Sequence, residues 1–301
     1  MLNKTYYFIF FIIMISLISC KVLDSKQAKI ENVVWIHGAA DCKKNIDPLI
    51  QVLQINSSTW ILRQNKCINY EAPFMYLFMG SKKALLMDTG ATEDEMQFPL
   101  YATVKKLLDQ WEKKNNGTVE LIVAHTHSHD DHIAGDNQFR NKTRTTIVGI
   151  KIEDVKSFFN FKNWPLENST LDLGGRVIEF IPIPGHQIAS LAAYDEKTKL
   201  LLTGDSFYPG RLYINDWNAF RLSTQRLCDF VNNHKISNIL GNHIEMTKTA
   251  GKDYPTGTTF QPDEHILPLK VSDLLLLNES LKQLGEIPKR ETHADFIIYP
   301  K

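Results

Sequence analysis

From residue 32 to residue 301 the sequence predicts one continuous layered domain of mixed strands and helices, an α/β (α+β) fold. Three observations carry this. Short apolar runs bounded by turn residues recur, as in "FMYLFMG" (74–80), "ALLMDTG" (84–90) and "VELIVA" (119–124). Between them, "YATVKKLLDQWEKKN" (101–115) places Tyr101, Val104, Leu107, Leu108 and Trp111 on one face of a helix. A chain of 301 residues, 43% hydrophobic and 23% charged, also has the length and composition for a substantial core.

The remaining elements follow from the same signals. Ser81-Lys82-Lys83 joins the first two runs as a hairpin, and Asn116-Gly117 closes the helix after them. The run 119–124 is almost wholly apolar and predicts a strand buried on both faces. "TTIVG" (145–149) predicts another strand, followed by a helix around 152–161. "RVIEFIPIPG" (176–185) and "KLLLTGD" (199–205) are expected strands, the second preceded by a turn at 195–198. A helix over "STQRLCDFVNNH" (223–234), a strand over "ISNILGNH" (236–243) and a last helix over 270–284 complete the order. There is no internal repeat and no low-complexity tract.

The first 31 residues are expected to lie outside this domain. "MLNKTYYFIFFIIMISLISC" has an early cation, Lys4, then an apolar run from Tyr6 to Ile18. That run is shorter than the ~20 residues of a spanning helix and fits a signal-peptide core. Leu17-Ile18-Ser19-Cys20 resembles the bacterial lipobox, whose cysteine is lipidated. The expected division is a signal peptide at 1–20, a charged tether at 21–31 and a folded domain at 32–301. The expected product is an exported lipoprotein held to the membrane through lipid on Cys20, facing the periplasm or the cell exterior. An uncleaved anchor is the alternative. Three cysteines remain, and in an exported protein Cys42 with Cys67 is the favoured disulfide, against three unpaired buried thiols with Cys228. Lys+Arg and Asp+Glu are equal at 34 each, a neutral balance that gives no overall electrostatic footprint for nucleic acid and leaves room only for a local patch. The expected partners are a small-molecule substrate and no nucleic acid.

The chemistry concentrates in "VAHTHSHDDHIAG" (123–135), which holds four histidines of the chain's ten. It sits where the buried strand ends and a helix begins. In extended chain residues i and i+2 point the same way, so His127 and His129 can share one metal. Asp131 and His132 lie at the turn into the helix, point differently and can reach a second metal ~3.5–4 Å away. His186 in "PIPGHQIAS", Asp205 in "LLTGDSF" and His243 in "LGNHIEM" also follow predicted strands. Nitrogen and carboxylate donors without thiolate suit zinc, and leave iron and manganese open. His125 is read as a packing residue beside the cluster.

"THSHDDH" resembles the H-x-H-x-D-H signature of the metallo-β-lactamase-fold hydrolases, and the likeness continues in order from about Phe74 to Met246. The resemblance implies a four-layer αβ/βα sandwich of two mixed sheets with helices outside and metals at one edge. It implies that His127, His129 and His186 hold one zinc, that Asp131, His132 and His243 hold the other, and that Asp205 bridges them. Asp88 in "LLMDTG" is similar to a buried aspartate behind the metals. The implied reaction is hydrolysis by a hydroxide that the two zinc ions share, with Asp131 as the catalytic residue orienting it. Glyoxalase II-type thioesterases of the family carry a longer C-terminal helical domain than the tail here, so an ester, lactone or amide-type bond outside the cytoplasm is expected. A β-lactamase is the alternative, although zinc β-lactamases lack the bridging aspartate and have cysteine or serine near that place, and "TGDS" offers both Asp205 and Ser206. A non-catalytic zinc-binding lipoprotein is the second alternative. Tyr208 and Arg211, with Tyr213 and Trp217, are expected to wall the substrate cleft. Arg211 would pair with a substrate carboxylate, or else lie at the surface. His265 would approach the site or cap a turn.

Overall fold

The structure is a computed structural model and describes residues 29–301. The expected signal peptide, Cys20 and most of the tether lie outside the described residues. The tether's expected end does not: Ile30 is 2% exposed and belongs to the main core, so the folded domain begins before residue 32.

Two six-stranded sheets form the centre. The first contains β1 (Ile50–Asn56), β2 (Thr59–Gln64), β3 (Phe74–Met79), β4 (Lys83–Met87), β5 (Glu120–Ala124) and β6 (Thr145–Ile147), in that spatial order. Its first four strands are antiparallel neighbours, and β4, β5 and β6 run parallel. The parallel step needs a crossover, and α1 (Leu100–Asn115) supplies it between β4 and β5. A short turn of helix, α2 (Asp130–Ile133), follows β5, and α3 (Ile152–Phe159) follows β6.

The second sheet is built from β7 (Ser169–Asp172), β8 (Val177–Pro182), β9 (Leu191–Asp195) and β10 (Leu200–Gly204). After a detour through β11 (Arg211–Ile214) and α4 (Trp217–Asn233), the chain returns with β12 (Asn238–Gly241) beside β10 and β13 (Pro268–Leu269) at the edge. The spatial order is β13-β12-β10-β9-β8-β7. The chain ends with α5 (Val271–Leu284), β14 (Glu291–Thr292) and β15 (Ile297–Pro300), and β11, β15 and β14 make a small third sheet.

β3 shows why four layers result. All six of its residues are buried, and alternate side chains point to opposite faces. Phe74, Tyr76 and Phe78 join a core shared with Phe180, Ala193, Leu202 and Leu240 of the second sheet. Met75, Leu77 and Met79 pack instead with Val104, Leu107 and Leu108 of α1. On the far side, Ala192, Leu201 and Ile239 of the second sheet pack under α4 and α5. The layers run α1, sheet, sheet, α4 with α5.

Three differences from the sequence expectation have physical reasons. β1 and β2 lie in residues 32–73, where polar residues alternate with apolar ones in β1 and its burial is only intermittent. α4 begins at Trp217, before the expected 223, because Asp216 caps it by accepting a hydrogen bond from Ala219 N at 2.9 Å. β9 ends at Asp195, in what the sequence marked only as a turn. Cys42 and Cys67 are joined in a disulfide, and Cys228 is a buried free thiol whose pKa burial raises to about 11.

Candidate metal centre

β8, β10 and β12 point the same way within the second sheet, so the segments leaving their C-terminal ends share one edge of the sandwich. β5 of the first sheet opens onto that edge too. Its following segment carries His127 and His129, and α2 adds Asp131 and His132. His186 follows β8, Asp205 is the residue after β10, and His243 lies two past β12. Glycines permit the approach. Gly204 has φ +54, and a Cβ there would stand 2.8 Å from Thr126 Cβ. Gly185 has φ +141, and its Cβ would meet the Phe220 backbone at 2.5 Å.

These side chains form two groups. His127 Nε2 lies 3.0 Å from His129 Nδ1, and His186 Nε2 lies 3.2 Å and 3.0 Å from those two atoms. In the second group Asp131 Oδ2 lies 3.3 Å from His132 Nε2 and 3.2 Å from His243 Nε2. Asp205 stands between the groups. Its Oδ1 is 3.5 Å from His132 Nε2 and 3.4 Å from His243 Nε2, while its Oδ2 faces His127 at 4.0 Å and His186 at 3.8 Å. The structure brings the seven residues together as one group of three and one of four, where two groups of three joined by Asp205 were expected; Asp205 falls with Asp131, His132 and His243.

The donor set fits metal cations. His186 Nδ1 lies 2.7 Å from Tyr213 O, and His243 Nδ1 lies 3.0 Å from Glu71 O. Carbonyls only accept, so each ring donates from Nδ1 and, when neutral, turns a lone pair inward from Nε2. His132 is held likewise, with Nδ1 3.4 Å from Asp88 Oδ2. With these rings neutral, the inward face of the second group is lone pairs and carboxylate oxygens. Asp205 Oδ1 is buried without a hydrogen-bond partner, a costly arrangement that a cation relieves.

The electrostatics separate the groups. Burial depresses the pKa of His127, His129 and His186 and keeps these rings neutral. Burial acts the same way on His132 and His243. There Asp205 and Asp131 outweigh it, lifting His132 well above the usual histidine range and His243 to about 9. Burial in turn opposes the charge on the two carboxylates, but the facing imidazoles hold both far below the usual carboxylate range.

Asp88 sits behind the second group, fully buried, at φ +67. Its Oδ1 accepts from Thr126 N at 2.7 Å. Its Oδ2 accepts from Asn242 Nδ2 at 2.6 Å and from Thr126 Oγ1 at 3.0 Å. This fixes the carboxylate against His132 and ties β4, β5 and β12 together beneath the site.

The family model for the metallo-beta-lactamase superfamily matches residues 70–266. The chain belongs to that superfamily. Among curated relatives, the acyl-coenzyme A thioesterase MBLAC2 of Homo sapiens is 24% identical over 207 residues, covering 56% of this chain and 72% of the relative. A hydroxyacylglutathione hydrolase of Prochlorococcus marinus is 25% identical over 172 residues, covering 54% and 62%. Among solved structures, a metallo-beta-lactamase from Pontibacter korlensis has a TM-score of 0.50 at 19% identity, covering 77% of this chain and 99% of that one. The DIM-1 metallo-beta-lactamase has a TM-score of 0.52 at 16% identity, covering 79% and 99%. These show the metallo-beta-lactamase fold, and the chain is a hydrolase of the superfamily with an intact metal-binding site.

Three expectations about the cleft of this metallo-beta-lactamase superfamily member are corrected, those for Arg211, Tyr208 and Trp217. Arg211 is neither at the surface nor free for substrate. It is 6% exposed, with Nη2 on Glu245 at 2.7 Å, Nη1 on Asp253 at 2.6 Å and Nε on Tyr213 Oη at 2.8 Å. Tyr208 is 2% exposed, donates to Arg211 O at 2.5 Å and packs behind His243 rather than walling a cleft. Trp217 is buried at the α4–α5 junction and donates to Gly285 O at 2.9 Å. For His265 the alternative that kept it away from the site agrees with its place: it bonds Asp295 at 3.0 Å and takes no part in either group. His125 is a packing residue as expected, with Nε2 2.8 Å from Asp136.

Sequence reasoning missed Asn242, the backbone of Glu71 and Asn215, whose Nδ2 donates to His186 O at 2.5 Å. For Asn242 and Asn215 a signal existed, since each sits near a ligand strand. Glu71 acts through its carbonyl, which leaves no trace in residue type.

Proposed function

We propose that this superfamily member is a zinc-dependent hydrolase with two metal ions that cleaves an ester, lactone or thioester. The position of Asp205 carries this reading. One carboxylate faces both donor groups, as a shared ligand of two cations does. His127, His129 and His186 would hold one ion, and Asp131, His132 and His243 the other. When bound, such a pair supplies Lewis acidity and a nucleophilic water near neutral pH. Asp131, half-buried at the cleft, orients that water as a hydrogen-bond acceptor. Water adds its oxygen to the acyl carbon, the C–O or C–S bond breaks, and the proton leaves with the alcohol or thiol. β-Lactam cleavage recedes, because Asp205 rather than Ser206 faces both donor groups. Two of the relatives, an acyl-coenzyme A thioesterase and a hydroxyacylglutathione hydrolase, support including thioesters among the substrates. A complete set of seven donors also argues against a purely zinc-binding role.

The same proposal places the domain outside the cytoplasm, tethered through lipid on Cys20. The Cys42–Cys67 disulfide supports it, since such bonds persist in oxidising compartments. Mass spectrometry of the native protein tests the anchor: a mature N-terminus at an acylated Cys20 is expected, and a retained Met1 refutes it.

Activity is tested on the zinc-loaded protein with a panel of thioesters, lactones, carboxylic esters, β-lactams and phosphodiesters. Turnover of an ester, lactone or thioester is expected, with a loss of at least ~10²-fold in Asp131→Asn at unchanged fold. Turnover of β-lactams or phosphodiesters alone overturns the reading.

A further inference from the structure

The end of the sandwich opposite the metal centre carries a surplus of positive charge. β4, β5 and β6 run parallel, as do β8, β10 and β12, and the C-terminal ends of β5, β8, β10 and β12 lead to the metal donors. The segments that enter these strands therefore gather at the other end, about 20 Å away along the extended run from Lys199 to Asp205. Hydrogen bonds tie them into one surface. Ser81 N donates to Gly174 O at 3.0 Å, Glu120 N to Lys82 O at 3.0 Å, Leu121 N to Arg144 O at 2.8 Å and Ser237 N to Lys199 O at 2.7 Å. Arg176 joins the two sheets beneath, with Nη1 on Ser58 O and Nη2 on Asp195 Oδ2, each at 2.6 Å.

The segments at this end are 29–31, 56–58, 80–83, 112–120, 143–144, 172–176, 195–199, 230–237 and 270–274. Together they hold eleven Lys and Arg against seven Asp and Glu, in a chain that is neutral overall. Three pairs cancel: Arg176 with Asp195 at 2.6 Å, Arg144 with Glu112 at 2.7 Å and Lys199 with Glu196 at 3.6 Å. Eight lysines are left against four carboxylates, Glu31, Glu120, Asp172 and Asp273, and none of the eight makes an ion pair among the described residues. Lys82, Lys113, Lys114, Lys197 and Lys235 are exposed.

The described chain also begins here. Glu31 Oε1 accepts from Nδ2 of Asn238, the first residue of β12, at 2.7 Å, so the chain enters at the end remote from His243. The apolar run 6–18 and Cys20 lie upstream, and the nine steps from Cys20 to Lys29 can span at most about 30 Å.

We propose that this end is a docking face that rests on anionic phospholipid headgroups, with the metal centre turned away from the bilayer towards water. This rests on the reading above that the N-terminal segment is held at a membrane. Lysines gain from the negative potential of an anionic leaflet only within about a Debye length, some 8 Å at physiological salt, and so short a connection keeps the face within reach of it. The lysines are spread over loops of both sheets, which suits a plane of headgroups better than a single nucleic-acid strand.

The full chain reconstituted into vesicles tests it, with amide hydrogen exchange read by mass spectrometry. The vesicles are phosphatidylcholine alone or mixed with phosphatidylglycerol, each at low and high salt. On the anionic vesicles at low salt, exchange in 112–120 and 195–199 is expected to be at least ~10-fold slower than on the neutral ones, with 245–253 at the metal end unchanged. High salt should remove the difference. Lys82→Glu with Lys113→Glu and Lys197→Glu should abolish the protection. Lys151→Glu with Lys248→Glu and Lys252→Glu makes the same change of charge past the C-terminal ends of β6 and β12, and should keep it. All six side chains are exposed, and unchanged exchange in β3 and β10 confirms that each variant is folded. Equal exchange on neutral and anionic vesicles, or equal loss of protection in both variants, overturns the proposal, as does protection by RNA and not by anionic vesicles. Attachment to both kinds of vesicle without charge-dependent protection keeps the anchor and overturns the docking face. Charge-dependent protection in a chain whose Cys20 carries no lipid upholds the face while the lipid anchor fails.

Discussion

His243 donates its Nδ1 hydrogen to the carbonyl of Glu71, 3.0 Å away and 172 residues earlier in the chain. A metal-donor ring is therefore aimed by backbone from a loop far off in sequence. That loop is pinned on several sides. Cys67 is bonded to Cys42, Asn65 Nδ2 donates to Asn45 Oδ1 at 2.9 Å, and Asn69 Nδ2 donates to Ala91 O at 2.9 Å. Orientation by an outer hydrogen bond of this kind tunes how well a ring holds a metal.

Replacing both cysteines, Cys42→Ser with Cys67→Ser, should accordingly reach the metal centre. The bridge closes a 25-residue separation, and its loss should cost about 3 kcal/mol of stability. Chelator competition should show one ion released roughly tenfold more readily and the other unchanged, because the His127, His129 and His186 group has no bond to this loop. Equal retention of both ions would show that Glu71 stays in place without the disulfide.

Asp205 and His243 differ in reach, which makes their removal informative. Asp205→Ala takes away, among the described residues, the only carboxylate facing both groups and should loosen both ions. His243→Ala leaves the three-histidine group whole and should release mainly one. Metal analysis of the loaded wild type should approach two ions per chain, and at most one in correctly folded protein contradicts the two-ion arrangement.

How much of this was legible beforehand depended on whether the signal was local. His127 and His129 fall in one group and Asp131 and His132 in the other because strand and helix-turn geometry are local rules. The strands of the two-sided core were legible because their runs are apolar throughout, as β3 and β10 are. β1 was not, since it lies partly at the surface and its pattern is broken. Arg211 was misplaced for a different reason. Its sequence neighbours, Gly210 and Leu212, say nothing of Glu245 and Asp253, which come from segments more than thirty residues away. Lys66 was invisible altogether, because burial of a charged side chain is a property of the finished fold.

Asp88→Asn tests the support beneath His132. The position has φ +67, a conformation that asparagine accepts, so the backbone should survive. The charge 3.4 Å from His132 Nδ1 disappears, and the amide can no longer accept on both sides from Thr126 and Asn242. Metal affinity should fall about 10–100-fold with little change in the melting transition of the fully loaded protein. An unchanged affinity would mean that packing alone holds the ring.

Lys66 also makes a prediction about pH. Its pKa is about 8 in the fold against an ordinary 10.5, so between those values the unfolded chain binds the proton more strongly. Unfolding then takes up protons, and stability rises with pH from about 8 towards 10.5, with the penalty complete below that window. At roughly 1.4 kcal/mol per pKa unit the penalty is about 3 kcal/mol. Lys66→Met removes it and forfeits a hydrogen bond to Tyr70 that contributes about 1 kcal/mol. The variant should therefore be more stable than wild type at pH 7 by about 2 kcal/mol, with the difference shrinking and then reversing as pH approaches 10.5. Denaturant unfolding at several pH values reads it directly. A wild type that gains nothing between pH 8 and 10 relative to the variant would mean that the ammonium already has its counter-charge.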